Sequence, residues 1–270
     1  MNRAGVYILA GSCGGLLGLL AIAMPPRAAT AEDAAAAEGG YGAITGQFVL
    51  EGDVPERKVL VEKGSPKVND PAICAAEEIL SDALLIDAKT KGIANVFIYL
   101  PKAEKMHPRL KSSTTKEVVF DQKGCRFIPH SLFVRTDQIV VVKSDDACNH
   151  NTKINTIRNQ GVNFALGPNH RAGEPVKIKA SEKRPVKVEC NFHNWMRAYW
   201  LILDHPYGAI SDAQGHFTIA DLPAGEHALW VWHESGGDIE KKYKVMVIAG
   251  QTTEIGVIPI PLAKFTDTKN

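Results

Sequence analysis

Neither sign of charge dominates this chain: 31 Lys and Arg stand against 30 Asp and Glu in 270 residues. A nucleic-acid ligand would call for a basic surplus, so phosphate backbones are excluded as the main partner. HExxH, a Walker loop and Gly-x-Ser-x-Gly are also missing, which leaves metalloprotease, nucleotide and serine-hydrolase chemistry without their residues. Cysteine is sparse, with five in all.

What is present is an ordinary globular composition, 45% apolar and 23% charged, in a chain long enough for one large or two modest domains. The first 31 residues have the character of a signal peptide. Arg3 precedes an apolar run from Val6 to Met24, Pro25-Pro26 break it, and Ala29-Thr30-Ala31 offers the small-x-small pattern that signal peptidase reads. Cleavage after Ala31 is expected, with no stable membrane span left afterwards and a periplasmic or secreted location. The remainder then carries 29 basic and 30 acidic side chains. Residues 32–43, rich in Ala and Glu, read as a disordered tether. Export permits disulfides, so Cys74, Cys125, Cys148 and Cys190 all need accounting.

Alternation of apolar and polar residues from Ile44 onward gives an all-β class. Residues 44–116 form an N-terminal β region, expected to pack with the C-terminal segment, and 117–204 form a second unit. Within that unit Phe127, Leu132 and Val134 read as one limb of a hairpin and Ile139 to Val142 as the other, turning at Thr136-Asp137. That hairpin would set Cys125 to His130 beside Ser144 to His150. Residues 205–262 show short strands at regular turns, a small β-sandwich element that at roughly 55 residues is marginal alone. Residues 263–270 are a tail. The loop Lys102 to Lys116 is cationic and would be a solvated surface or a docking patch for an acidic partner.

The chemistry concentrates in Val188-Glu189-Cys190-Asn191-Phe192-His193-Asn194-Trp195-Met196. Thiolate, imidazole and thioether recur there at three-residue steps, and His150 offers a second imidazole upstream. Such a set suits a soft ion that changes oxidation state, because sulfur favours reduced copper while imidazole accepts both states. Zinc has little use for Met196, and Cys190-x-x-His193 has no matching second pair. A two-copper centre would want a second cysteine on the loop, and a multicopper oxidase would repeat His-x-His pairs; neither occurs. The set therefore predicts one type 1 copper ion.

Cys190-x-x-His193-x-x-Met196, His150-Asn151 and Phe127-x-Pro129 together resemble the cupredoxin family (plastocyanin and amicyanin), over roughly residues 117–204. The longer stretches Gly124 to His130, His150 to Thr152, Trp195 to Tyr199, Asp204 to Tyr207 and Trp232 to Glu234 are similar to exported bacterial cupredoxin-like proteins with a carboxypeptidase-regulatory-like C-terminal segment, sometimes labelled methylamine utilisation proteins. The resemblance implies a Greek-key cupredoxin β-sandwich plus a second, smaller β-sandwich element. It implies His150, His193 and Cys190 as equatorial ligands, Met196 as the long axial ligand, and Asn151 as the tie between the two ligand loops. Asn194 departs from the family, where a proline is usual. The resemblance also implies a Cys74–Cys125 disulfide, whereas the hairpin reading sets Cys125 opposite Cys148.

His130, Phe192 and Trp195 are expected to support the ligands from outside the coordination set. His205 and His233 are candidates for an additional metal or partner site. The other four histidines, His107 among them, are expected at the surface. The function so read is single-electron transfer, without enzymatic chemistry, between redox proteins such as a c-type cytochrome and a periplasmic dehydrogenase, through an exposed edge of His193. The alternatives are a copper-binding or delivery protein and a structural β-module with a degenerate copper site.

Overall fold

The computed structural model describes residues 40–265. The expected signal peptide, most of the tether and most of the tail lie outside them. The chain begins with β1 (Tyr41–Glu51), β2 (Val59–Val61), the single-turn helix α1 (Pro71–Cys74), β3 (Ile79–Leu80) and β4 (Phe97–Tyr99). There follow β5 (Glu117–Gln122), β6 (Phe127–Ile128), β7 (Ser131–Arg135), β8 (Ile139–Val142), β9 (His150–Ile154), β10 (Val162–Leu166), β11 (Glu174–Lys177), β12 (Val186–Glu189) and β13 (Arg197–Leu203). The last five are β14 (Gly208–Ile210), β15 (His216–Pro223), β16 (Gly225–His233), β17 (Gly237–Val247) and β18 (Thr252–Pro261). Among the described residues no helix is long and apolar enough to cross a membrane.

The strands build two lobes. In the first, a five-stranded sheet in the order β10-β9-β12-β13-β7 faces a four-stranded sheet in the order β11-β8-β5-β6. Alternation along each strand turns one face inward, as in β12, where Val186 and Val188 are buried and Lys187 and Glu189 are less so. The two inward faces meet on Phe120, whose ring lies edge-on to Trp200 at 4.9 Å and stacked on Phe127 at 5.1 Å. The packing is that of a β-sandwich core.

The expected hairpin over residues 127–142 is not formed. β7 runs parallel to β13 in one sheet, while β8 runs parallel to β5 and antiparallel to β11 in the other. The Thr136-Asp137 turn therefore carries the chain across the core from sheet to sheet. Alternation marks which face of a strand is buried, and it does so equally for a hairpin and for an arch.

The second lobe is assembled from both ends of the chain. β1 lies between β15, antiparallel, and β18, parallel, in one sheet, and a second sheet runs β14-β4-β16-β17. Their core holds Ile44, Phe48, Ile98, Phe217 and Leu229. β1 starts at Tyr41, inside the stretch read as tether, because Gly42 and Ala43 already pair with Leu222 and Thr252. The lobes meet on β13: Trp200 and Ile202 point into the first core, while Leu201 and Leu203 join Phe97, Tyr99 and Trp232 in a shared apolar seam. The cationic loop is folded back in part, with Arg109 bidentate on Asp221 at 2.6 and 2.8 Å. His107, expected at the surface, is buried at 4% exposure and receives the Arg109 N–H on its Nδ1.

Candidate metal centre

β12 and β13 are antiparallel neighbours with Glu189 opposite Arg197, so residues 190–196 are the loop that joins them. Two backbone bonds close this loop on itself: Met196 N–H donates to His193 O at 2.9 Å, and Cys190 N–H donates to Met196 O at 3.3 Å. β9 lies on the other side of β12 and begins at His150. One sheet end thus delivers ligands from two loops. His150 Nδ1 and His193 Nδ1 are 3.0 Å apart, and Cys190 Sγ is 3.7 Å from His193 Nδ1. Both separations suit a single ion bonded to nitrogen at about 2.0–2.1 Å and to sulfur at about 2.3 Å. His150 and His193 are fully buried, and Cys190 and Met196 are 2% exposed.

Asn151 ties the loops together. Its Oδ1 accepts the Asn191 N–H at 2.6 Å and the Cys190 thiol at 3.4 Å, while its Nδ2 donates to Asn163 Oδ1 at 2.8 Å. Its own N–H points at Cys190 Sγ at 3.5 Å. Donors aimed at sulfur favour the thiolate. Burial alone would raise the Cys190 pKa, but hydrogen bonds from His150, His193 and two backbone N–H groups outweigh it and bring the thiol down to about 6. Burial likewise lowers His150, yet Asp146 and Cys190 outweigh it and raise the imidazole to about 9. A thiolate and imidazoles at one buried point are a donor set for a soft metal ion.

Three residues that sequence reasoning did not assign to the site sit against the ligands. Asp146 Oδ2 is 2.9 Å from His150 Nε2, and the same carboxylate accepts the backbone N–H groups of Gly124 and Cys125 at 2.6 and 2.8 Å. A carboxylate on the outer nitrogen fixes ring orientation and leaves Nδ1 for the ion. Cys148 Sγ is 3.5 Å from the same nitrogen, and burial pushes its thiol up to about 12. The alternating Asp146-x-Cys148-x-His150 carried a signal for these two. Asp70 carried none: it lies 123 positions before His193, yet its Oδ2 is 3.1 Å from His193 Nε2.

Asp70 belongs to a strip that covers the site. It precedes α1, whose Cys74 is disulfide-bonded to Cys125, and Asn69 Nδ2 donates to Phe192 O at 2.7 Å. The alternative Cys125–Cys148 pairing is not formed, and Cys148 and Cys190 are free. Because of this strip, His193 has no exposed edge, contrary to expectation. Phe192 is 42% exposed, and Trp195 is half-buried, with its ring 5.2 Å from that of His193 and its N–H on Cys125 O at 3.1 Å.

Among the described residues His130, His205 and His233 fall in none of the groups of candidate metal ligands. His130 pairs with Glu234 of the second lobe, Nε2 to Oε1 at 2.5 Å, in a cleft of about 320 Å³ that Trp195 and Tyr199 also line. The hairpin that was to place it at the ligand end does not form, yet it lies beside the ligand loop, lining a small pocket with Cys125, Trp195 and Met196. His205 accepts the Tyr207 N–H on Nδ1, and His233 accepts the Ser235 N–H and packs edge-on against Phe265. Among the described residues neither belongs to any group of three candidate metal ligands. Burial lowers the pKa of both, His233 to about 4. Both are buried in the core.

Fold and site together define an all-β, two-lobed chain with a buried His₂Cys cluster and a methionine on the same loop. No protein-family model and no curated protein matches it. Among solved structures, a copper-containing nitrite reductase from Thermus scotoductus is 15% identical, over 32% of this chain and 22% of that one, with a TM-score of 0.28. A reduced amicyanin variant is 13% identical over 33% of this chain and 85% of that one, at 0.29. A purple cupredoxin from Nitrosopumilus maritimus is 15% identical over 32% and 97%, at 0.25. Likeness at this level carries no weight for fold or chemistry, both of which rest on the geometry above.

Proposed function

We propose that this chain is an exported type 1 copper protein of the cupredoxin kind that carries single electrons between redox partners and performs no enzymatic reaction. The observation that carries the proposal is the convergence of His150 Nδ1, His193 Nδ1 and Cys190 Sγ in a buried cluster. Met196, buried at the end of the same loop, would add the soft fourth donor that distinguishes copper from zinc. When bound, copper supplies a one-electron couple.

The protein's part is positional. Asn151, Asp146 and the closed 190–196 loop hold the donors in place before any ion arrives, so the same ligand set serves both oxidation states. The strip carrying Asp70 and α1 keeps water from His193. Phe192 and Trp195 are then the aromatic side chains of the ligand loop that reach solvent, and a redox protein such as a c-type cytochrome or a periplasmic dehydrogenase would dock over them. An apolar, exposed Phe192 suits such a transient contact.

Adding Cu(II) to the purified protein should produce the intense visible absorption of a thiolate-to-copper transition. Cys190→Ala should abolish it and His130→Ala should retain it. A colourless copper-loaded protein would overturn the reading.

A further inference from the structure

Beside the cluster just described lies a second group of soft donors. Cys74, Cys125, Cys148 and His193 each place one ligand atom so that all four lie within 4.8 Å of one another, and all four residues are buried. Two of the sulfurs are joined in the Cys74–Cys125 disulfide, and the third, Cys148, is a free thiol. Cys148 is not needed by the first cluster: its sulfur faces His150 Nε2, on the far side of the ring from the Nδ1 that meets His193. His193 is likewise two-sided. Its Nδ1 faces His150 and Cys190, and its Nε2 faces Asp70, the residue that leads into the helix carrying Cys74.

We propose that reduction of the Cys74–Cys125 disulfide opens a second metal site, made of Cys74, Cys125, Cys148 and the outward side of His193, for a thiophilic d¹⁰ cation, Cu(I) or Zn(II). Three thiolates and an imidazole are a closed four-donor set of the kind such ions take. The reductant is a dithiol. It transfers two electrons and two protons to the disulfide, leaving two protein thiols and its own disulfide. Three cysteines then bind the cation as thiolates, their protons passing to solvent. The oxidised chain holds the first cluster alone, and the reduced chain holds both. The disulfide accordingly acts as a redox-controlled gate on metal capacity, set against the ligand His193 that the two clusters share.

The test counts metal on the full chain, anaerobically, before and after treatment with a dithiol that is then removed. Cu(I) and Zn(II) are titrated separately against a chromophoric chelator. The expected result is one additional equivalent of at least one of the two ions after reduction, lost in Cys148→Ser. No gain on reduction with either ion overturns the proposal, and so does a gain that Cys148→Ser retains. X-ray absorption on the reduced wild type guards against a misfolded variant: the additional ion should show mainly sulfur neighbours, and a nitrogen and oxygen shell overturns the assignment. The count on the oxidised chain tests the first cluster separately, so failure of one reading is not mistaken for failure of the other.

Discussion

At the scale of single residues, the centre depends on groups that never need to touch an ion. Asn151 joins the two ligand loops, through Asn191 N–H and the Cys190 thiol. Asn151→Ala removes the acceptor of the part-buried Asn191 N–H and should cost about 0.5–1.5 kcal/mol, measured as a lowered denaturation midpoint of the metal-free protein. It should also broaden the visible band of the copper-loaded form. The meeting of His150, Cys190 and His193 was legible because Cys190 and His193 sit three positions apart on one short loop, at a spacing that suits few other purposes. Asp70 was not legible, since nothing local to Asn69-Asp70-Pro71 marks a contact with a histidine 123 positions away.

At the scale of strands, β13 does two jobs at once. Its Trp200 and Ile202 belong to one core and its Leu201 and Leu203 to the seam between lobes. A strand buried on both faces reads as an unbroken apolar run, which is how Tyr199-Trp200-Leu201-Ile202-Leu203 appears in the sequence. Leu201→Ala should cost about 2–5 kcal/mol and loosen the seam, so that calorimetry should show one thermal transition for the wild type and two for the variant. Turns are less forgiving. Gly215 has a φ of +84°, and a Cβ there would lie 2.2 Å from Phe48 O. Gly215→Ala should therefore push β15 away from β1 and destabilise the protein by about 2–4 kcal/mol, read by chemical denaturation. The Asp212-Ala213-Gln214-Gly215 turn was legible from its residues, because glycine alone fits there. The partners of β7 and β8 were not, because their burial patterns are those of any two strands with one inward face.

At the scale of the whole molecule, the lobes are fastened by charge as well as by the apolar seam. Arg184 grips Asp238 at 2.9 and 2.5 Å, and His130 grips Glu234. Burial pulls the His130 pKa down and Arg126 opposes its charge, but the hydrogen bond and charge of Glu234, with Asp82 behind, leave it raised above 6.5. A group whose pKa is raised on folding lends its full stabilisation below the unfolded value and loses it as pH climbs through the folded one. The wild type should thus lose thermal stability above pH 6.5 relative to Glu234→Gln, and a pH-independent difference between the two would refute the coupling. A different consequence follows from β1. A ribosome makes it well before its neighbours β15 and β18: Thr45 faces Thr218, and Ala43 faces Thr252. Residues 117–203 need no such wait for their two sheets. During synthesis the lobe with the ligands should gain protease resistance while β1 is still a bare edge, and a nascent chain halted near residue 250 should be cut within β1 and spared around Cys190. A strand made early would thus be among the last to find its place.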